Sequence, residues 1–262
     1  MNQLENRMFN LLKQMRDEDD IMAVKAEFEA EGSRDDELVK LNEIIYRADL
    51  DLYVKIGGCE AVTDLNRCKR MGATGIMAPM IETPFSMHKF KSAAEKVYGD
   101  RMDEIEWIIN AETKTCHENL DAILEEGKGF LEVVSIGRVD YSASIGLSRA
   151  EINGERVFEE TMDIAERSKA AGYTVNFGGG ISFDAIDFIR RFYPHNDRFE
   201  TRKIVFRASN DEENLKKKIL HAMEFEALYL QNKCAYYDSM ANEDRARMEM
   251  LCQRLETAKQ QM

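Results

Sequence analysis

One feature constrains this chain more than any other: short apolar strands alternate with longer amphipathic helices from about residue 21 to residue 207. "IMAVKAEFEAEG" reads as a strand, "SRDDELVKLNEIIYRA" as a helix, and "LDLYVKIGG" as a strand ending in glycines. "EAVTDLNRCKRMG" is a helix closed by Gly72, and "TPFSMHKFKSAAEKVYG" is one with Pro84 in its first turn. "ATGIMAPM", "IEWIINAET", "LEVVSIG", "YTVNFGGG" and "KIVFRAS" supply the remaining strands. Strand-then-helix units imply parallel strands covered by helices. Seven such strands, with polar residues at their C-terminal ends, predict an α/β fold with a closed TIM-type (β/α)8 barrel rather than an open doubly wound sheet.

The barrel, with an N-terminal helix carrying Leu4, Met8, Leu11, Leu12 and Met15, is expected over residues 1–210. Residues 211–262 form a C-terminal helical extension free of Pro and Gly. Its Ile219, Leu220, Met223, Leu228 and Leu230 are too many apolar groups to leave in water, so they are expected to pack on the barrel or on another subunit. A net charge of -13 argues against nucleic-acid binding through a broad basic face. No run approaches the roughly 18 apolar residues of a membrane span, and the first residues lack the apolar core of a secretory signal. Five cysteines without a CxxC pair suit reduced thiols and a cytoplasmic location.

Alternate residues of a strand share a face. Lys25, Glu27 and Glu29 therefore lie together, as do Asn110 and Glu112, while Lys55 opposes Val54 and Ile56. Each strand thus turns a charged face toward the barrel axis. Such charges must be paired or must hold a ligand. An internal ion-pair network and a binding site both satisfy that demand, and clustering at strand C-terminal ends favours a site. "VVSIGRVDYSAS" ends a strand on Gly137, Arg138 and Asp140. Asp140 follows its strand as Glu112 does one unit earlier, so the two carboxylates can hold one hard cation, with water and substrate oxygens completing its shell. The amides of the Arg138–Asp140 turn could donate to a carboxylate.

"INAETKTCHENLDAIL" and "VVSIGRVDYSASIGLS" resemble the paired signatures of the HpcH/HpaI aldolase and citrate lyase β-subunit superfamily. "VKIGGCEAVTDLNRCKRMGATGIMAPMIETP" is similar to the family's preceding stretch. The resemblance covers about residues 21 to 147 well and residues 173 to 210 loosely. It implies a modified TIM barrel that makes or breaks carbon–carbon bonds beside a 2-oxo acid or acyl thioester. It also implies Mg²⁺ or Mn²⁺ on Glu112 and Asp140, and substrate contacts from Asn110 and from the turn amides of Gly137, Val139 and Asp140; the inward face of Lys25 and the turn amide of Arg138 add these two as expected substrate contacts. Lys55 falls where the family has an arginine that polarises the oxo group, and Glu29 matches an acidic residue on an early strand. Ala30 stands where the aldolases have a histidine, Arg138 replaces a usual proline, and a helix occupies the place of the family's first strand before Ile21.

The resulting expectation is a metal-dependent carbon–carbon lyase acting on a 2-oxo acid such as pyruvate through a metal-stabilised enolate. Glu29 or Glu27 would move the proton in place of the missing histidine. The alternatives are a barrel that has lost the chemistry and acts as a binding or scaffold protein, or a related enzyme running carbon–carbon bond synthesis. Lys55 is expected to act as a fixed charge rather than a Schiff-base amine, because nearby carboxylates hold a lysine protonated. The apolar C-terminal helix, together with the resemblance, implies a homo-oligomer.

Overall fold

The computed structural model describes residues 1–260. Eight strands close into one barrel in chain order: β1 (Ile21–Glu27), β2 (Asp51–Lys55), β3 (Gly75–Ala78), β4 (Glu106–Ala111), β5 (Val133–Gly137), β6 (Thr174–Gly178), β7 (Arg198–Glu200) and β8 (Ile204–Arg207). The helices between them are α2 (Asp35–Arg47), α3 (Val62–Met71), α4 (Pro84–Tyr98), α5 (Lys114–Glu118), α6 (Leu120–Glu126), α7 (Arg138–Ser144), α8 (Glu155–Ala170) and α9 (Ile186–Phe192). Helix α1 (Gln3–Glu18) precedes the barrel, and α10 (Glu212–Gln260) follows it.

Local chemistry sets the helix ends. Thr83 caps α4, its hydroxyl accepting from the Ser86 N–H at 3.1 Å, with Pro84 preorganised at the first position. Gly72 ends α3 in the left-handed region at φ 67°. Outward-facing strand residues such as Val24, Val54, Ile76, Ile109, Val134 and Phe177 join the helices in one contiguous apolar core.

The inward faces are layered. Glu106, Arg198 and the Tyr53 hydroxyl plug the bottom of the barrel, with Arg198 donating to both Glu106 oxygens at 2.7 and 2.8 Å. Ala23, Met77, Ile108, Val133 and Val205 fill the middle. Above them come Lys25, Lys55, Asn110, Ser135, Asn176 and Glu200, all buried. Glycines make the layers fit. A Cβ on Gly75 would stand 2.5 Å from the Tyr53 ring, and one on Gly178 would stand 2.7 Å from Glu200 Cγ.

The structure corrects the sequence expectation in two places. The barrel has the eight strands expected of it, but only seven were located in the sequence, because β7 is only three residues long and follows a proline-containing turn with no strand-like alternation. The departure from a regular (β/α)8 barrel lies at the last strand, not the first. β1 pairs in parallel with β2, whereas β8 runs antiparallel to both β7 and β1. No helix separates β7 from β8: the turn at residues 201–203 is closed by the Thr201 N–H on the Ile204 carbonyl at 2.9 Å, and so tight a turn can join only antiparallel strands.

The first half of α10 buries Leu215, Ile219, Ala222, Phe225, Leu228 and Tyr229. It lies along α1, where Asn2 donates to Asn232 at 2.7 Å. Leu220, Met223 and Leu230, also expected to be covered, remain about half exposed. No helix among the described residues is long and apolar enough to cross a membrane.

The layered interior is directly testable. Gly75→Ala forces a methyl into the Tyr53 ring and should lower stability by about 1–3 kcal/mol. Gly58→Ala, in open space and without a positive φ, controls for the loss of glycine's conformational freedom alone. Urea denaturation showing no larger loss at Gly75 than at Gly58 would contradict this account of the barrel interior.

Candidate active site

The C-terminal ends of the strands open onto a cavity of about 440 Å³. β1 contributes Lys25 and Glu27, and the bend after it contributes Glu29 and Ala30. Lys55 ends β2, Asn110 lies in β4, and Glu112 follows that strand directly. Gly137 ends β5, and Val139 and Asp140 open α7. Nine of the ten residues singled out in the sequence therefore line one cavity, and Arg138 is the exception.

Lys25 is buried between two carboxylates, 2.5 Å from Glu200 and 3.4 Å from Glu27. Burial alone would favour its neutral form, but Glu200 and Glu27 outweigh burial and hold the ammonium above its ordinary range. Lys55 repeats the arrangement, 2.8 Å from Glu29 and 3.3 Å from Glu112. Burial is again outweighed, here by Glu112 and Glu29, so Lys55 is also held protonated. A protonated lysine is no nucleophile, which favours the charge role over a Schiff base.

Glu112 is almost fully buried. One oxygen accepts from the Met80 N–H at 3.1 Å, and the other from Asn110 at 2.8 Å and Lys55 at 3.3 Å. Its carboxylate lies against Gly137, where a Cβ would come within 2.8 Å. Burial pushes this carboxyl above its usual range, and the Asp140 charge adds to the push against Lys55. Asp140 itself is exposed on the cavity wall. Asn110 Oδ1 is buried without a hydrogen-bond partner.

Among the described residues, no group of three or more His, Cys, Asp or Glu side chains gathers round one point. A cation would therefore depend on Glu112 and Asp140. The donors fit a hard divalent ion: both are carboxylates, their mutual repulsion is relieved by a cation, and the open cavity leaves room for water and substrate oxygens.

Arg138 corrects an expectation. Its side chain does not reach the cavity. It is fully buried behind the wall and donates to the Gly179 carbonyl at 2.7 Å, to the Gly178 carbonyl at 3.3 Å and to Asn153 at 2.9 Å. The guanidinium stacks over Phe188 at 4.3 Å. Burial lowers it to about 9, which leaves it charged at neutral pH. The side chain therefore braces "FGGG", and only the Arg138 amide is left for the ligand contact expected of this turn.

The structure also adds residues. Glu200 accepts from Lys25 and, at 2.7 Å, from Asn176, which donates to Ser135 at 2.8 Å as well. Asn176 and Ser135 occupy inward positions of strands legible in the sequence, and the alternation that marked Asn110 could have marked them. Glu200 sits on the short β7, where no pattern pointed to it. Arg149, Arg202, Met223 and Glu226 also line the cavity, the last two from α10. None of the four histidines lines it, and Ala30 faces it where the resemblance placed one.

A model of the HpcH/HpaI aldolase/citrate lyase family matches residues 30–178, more than half of the 262-residue chain. The chain belongs to this family. The matched stretch contains Lys55, Asn110, Glu112 and Asp140, whereas Lys25, Glu27, Glu29 and Glu200 lie outside it. Solved structures of similar fold include an HpcH/HpaI aldolase from Desulfitobacterium hafniense DCB-2, at 17% identity over 68% of this chain and 76% of that one, TM-score 0.56. An HpcH/HpaI aldolase/citrate lyase family protein from Burkholderia cenocepacia J2315 has 16% identity over 75% and 83%, TM-score 0.59. RipC from Yersinia pestis has 12% identity over 78% and 87%, TM-score 0.51. Identities this low show a shared fold. No match is found among curated proteins.

The buried ion pairs carry a stability prediction. Lys25→Met strands Glu200 and Glu27 without their cation and should cost about 3–5 kcal/mol. Adding Glu200→Leu should recover part of that loss, because it removes one stranded charge. Equal denaturation midpoints for the wild type and Lys25→Met would show that the ammonium is not the partner these carboxylates depend on.

Proposed function

We propose that this family member is a metal-dependent carbon–carbon lyase of the aldolase type, acting on a 2-oxo acid such as pyruvate or its aldol adducts. The observation that carries the reading is the pairing of Glu112 and Asp140 beside a protonated Lys55 in a cavity at the C-terminal end of the barrel. Family membership supports the lyase class.

In this reading Glu112 and Asp140 would hold Mg²⁺ or Mn²⁺, which would supply Lewis-acid charge to a 2-oxo acid substrate. The backbone amides at the Gly137–Asp140 turn receive the carboxylate. Asn110 keeps Glu112 oriented through its 2.8 Å hydrogen bond. The Lys55 ammonium faces the oxo oxygen and offsets the negative charge that grows there as the bond breaks. Glu29, ion-paired with Lys55 at 2.8 Å and half-buried, takes the proton from the hydroxyl of the cleaved adduct. The oxygen so released becomes the carbonyl of the departing aldehyde, the electron pair of the broken carbon–carbon bond passes to the enolate, and the proton taken up by Glu29 returns to that carbon to give the oxo acid. Lys25 and Glu27 fix the charge balance on the β1 side. The same steps in reverse form the bond. A cytoplasmic location fits the free cysteines.

A second reading, a barrel that binds without turnover, is favoured by Ala30 in place of a histidine and by the hydrogen bonds that already engage both Glu112 oxygens. Two measurements separate the readings. Wild type with Mg²⁺ or Mn²⁺ should exchange the methyl protons of pyruvate for deuterium, and EDTA should abolish the exchange. Glu112→Gln keeps the shape, removes a charge, and should weaken Mn²⁺ binding at least tenfold while folding normally. Unchanged Mn²⁺ affinity in that variant moves the metal site elsewhere, and wild type that binds metal without exchange supports the binding protein. Borohydride with pyruvate should leave Lys55 unmodified by mass spectrometry, and a stable adduct there would replace the charge role with a Schiff base.

A further inference from the structure

The floor of the cavity carries hydrogen-bonding capacity that the protein does not use. Asn110, Ser135 and Asn176 stand side by side on β4, β5 and β6, at paired register positions. Neighbouring strands lie about 4.8 Å apart, so the three side chains form one polar row across the inward face. Each is nearly sealed from solvent, with 5%, 2% and 3% of its surface exposed.

Hydrogen-bond roles in this row are fixed from its two ends. Asn110 turns its NH2 group to Glu112 at 2.8 Å, because the oxygen it meets there also accepts from the Lys55 ammonium, and an amide oxygen in that place would face a carboxylate oxygen. Asn110 Oδ1 is then left buried without a donor. Asn176 turns its NH2 group to Glu200 at 2.7 Å for the same reason, and its second N–H goes to Ser135 Oγ at 2.8 Å. Ser135 therefore spends a lone pair on Asn176 and keeps its own hydrogen, for which no described residue supplies an acceptor. Asn110 and Ser135 line the cavity, and Asn176 does not.

The floor thus presents one free acceptor, Asn110 Oδ1, beside one free donor, the Ser135 hydroxyl. A group that satisfies both must donate and accept through the same atom. Carboxylate and oxo oxygens only accept, an ammonium only donates, and a methyl does neither. A hydroxyl does both. Polar groups left unpaired in so buried a place are costly, so a ligand without the hydroxyl is discriminated against.

We infer that Asn110 and Ser135 select a 2-oxo acid bearing a hydroxyl on the carbon next to the oxo group. The inference rests on the lyase reading for the pose of the oxo acid and names the substrate class of that same site. In that pose the carboxylate takes the turn amides after β5 and the oxo oxygen faces Lys55. Only the reacting end of a ligand reaches side chains this deep, and of its three carbons the third alone is free to carry a group to the floor. That carbon is the one whose bond is cleaved. Its hydroxyl stays on the oxo acid throughout, and is distinct from the hydroxyl one carbon further out that gives its proton to Glu29. Pyruvate has only hydrogens there and leaves the pair unfilled. Because Asn110 also holds Glu112, one side chain both reads the hydroxyl and orients the carboxylate.

Three ligands that differ only at that carbon test this on the wild-type protein. Calorimetric titration in the presence of Mg²⁺ should give hydroxypyruvate an affinity at least about tenfold above that of pyruvate, and equally above that of 2-oxobutanoate, which puts a methyl where the hydroxyl would be. Ser135→Ala removes the donor and should bring the ratio of hydroxypyruvate to pyruvate affinity close to unity. Both ligands are measured on one variant, so a general loss of affinity cancels from the ratio, and if the variant does not fold the wild-type series decides alone. Equal affinity of the wild type for hydroxypyruvate and pyruvate would mean that water alone sits between Asn110 and Ser135, and overturns the assignment. So does 2-oxobutanoate matching hydroxypyruvate, which would make the floor a reader of size, and so does binding of none of the three. Deuterium exchange at the carbon beside the oxo group keeps this result apart from the lyase reading. A hydroxypyruvate preference with no exchange in any ligand leaves the hydroxyl site standing and removes the lyase. Exchange of pyruvate with no preference for the hydroxyl leaves the lyase standing and removes the hydroxyl site.

Discussion

The structure depends on two ammonium groups buried near the barrel axis. Lys25 and Lys55 lie where water is scarce, and each is tolerated only because carboxylates from other strands close around it. Glu200 reaches Lys25 from β7, and Glu112 reaches Lys55 from the end of β4. Asn176 and Ser135 extend the network across β6 and β5. Nearly every strand therefore adds one polar group to a girdle that no single strand could satisfy. The girdle also lines the cavity, where its two ammonium groups are fixed in place by the carboxylates around them.

Much of the fold was legible because its signals are local. Period-two alternation placed Lys25, Lys55, Asn110 and Glu112 on inward faces, and glycine and proline punctuation marked the helix ends. What escaped was set by tertiary context. The three-residue β7 is too short to show a period, so Glu200, the closest partner of Lys25, had no sequence signal. The reversal of β8 follows from the absence of a helix after β7. Arg138 was read as a ligand contact because its amide belongs to the turn after β5, a reading that left its side chain unplaced. Its long side chain instead turns back under the wall, where Phe177, Phe188 and two glycine carbonyls receive it. Family resemblance predicted the neighbourhood of Glu112 and Asp140, while the β1 and β7 halves of the site lie outside the matched stretch.

The two departures from the family pattern act on opposite walls. Ala30 stands on the β1 side where the resemblance placed a histidine, and in the proposed reading a carboxylate there takes the place of the imidazole. Arg138 stiffens the facing wall by holding the Gly178 and Gly179 carbonyls, which directs the following peptide N–H groups the other way because a trans peptide points its two dipoles in opposite directions. Both changes leave Glu112 and Asp140 in place and alter what surrounds a bound substrate.

The antiparallel β8 has a consequence for how the chain reaches its native state. The ring closes only when β8, at residues 204–207, zips against β1, at residues 21–27. That contact spans nearly the whole barrel sequence, so it carries a large loop-closure entropy and raises the contact order. During synthesis every earlier strand emerges while the ring is still open, and β1 presents a bare edge until the final hairpin arrives. The hairpin is joined directly to α10, whose first turns bury Leu215 and Ile219. Docking of that helix and closure of the ring are therefore one cooperative event, and the last fifth of the chain acts as the latch for the first.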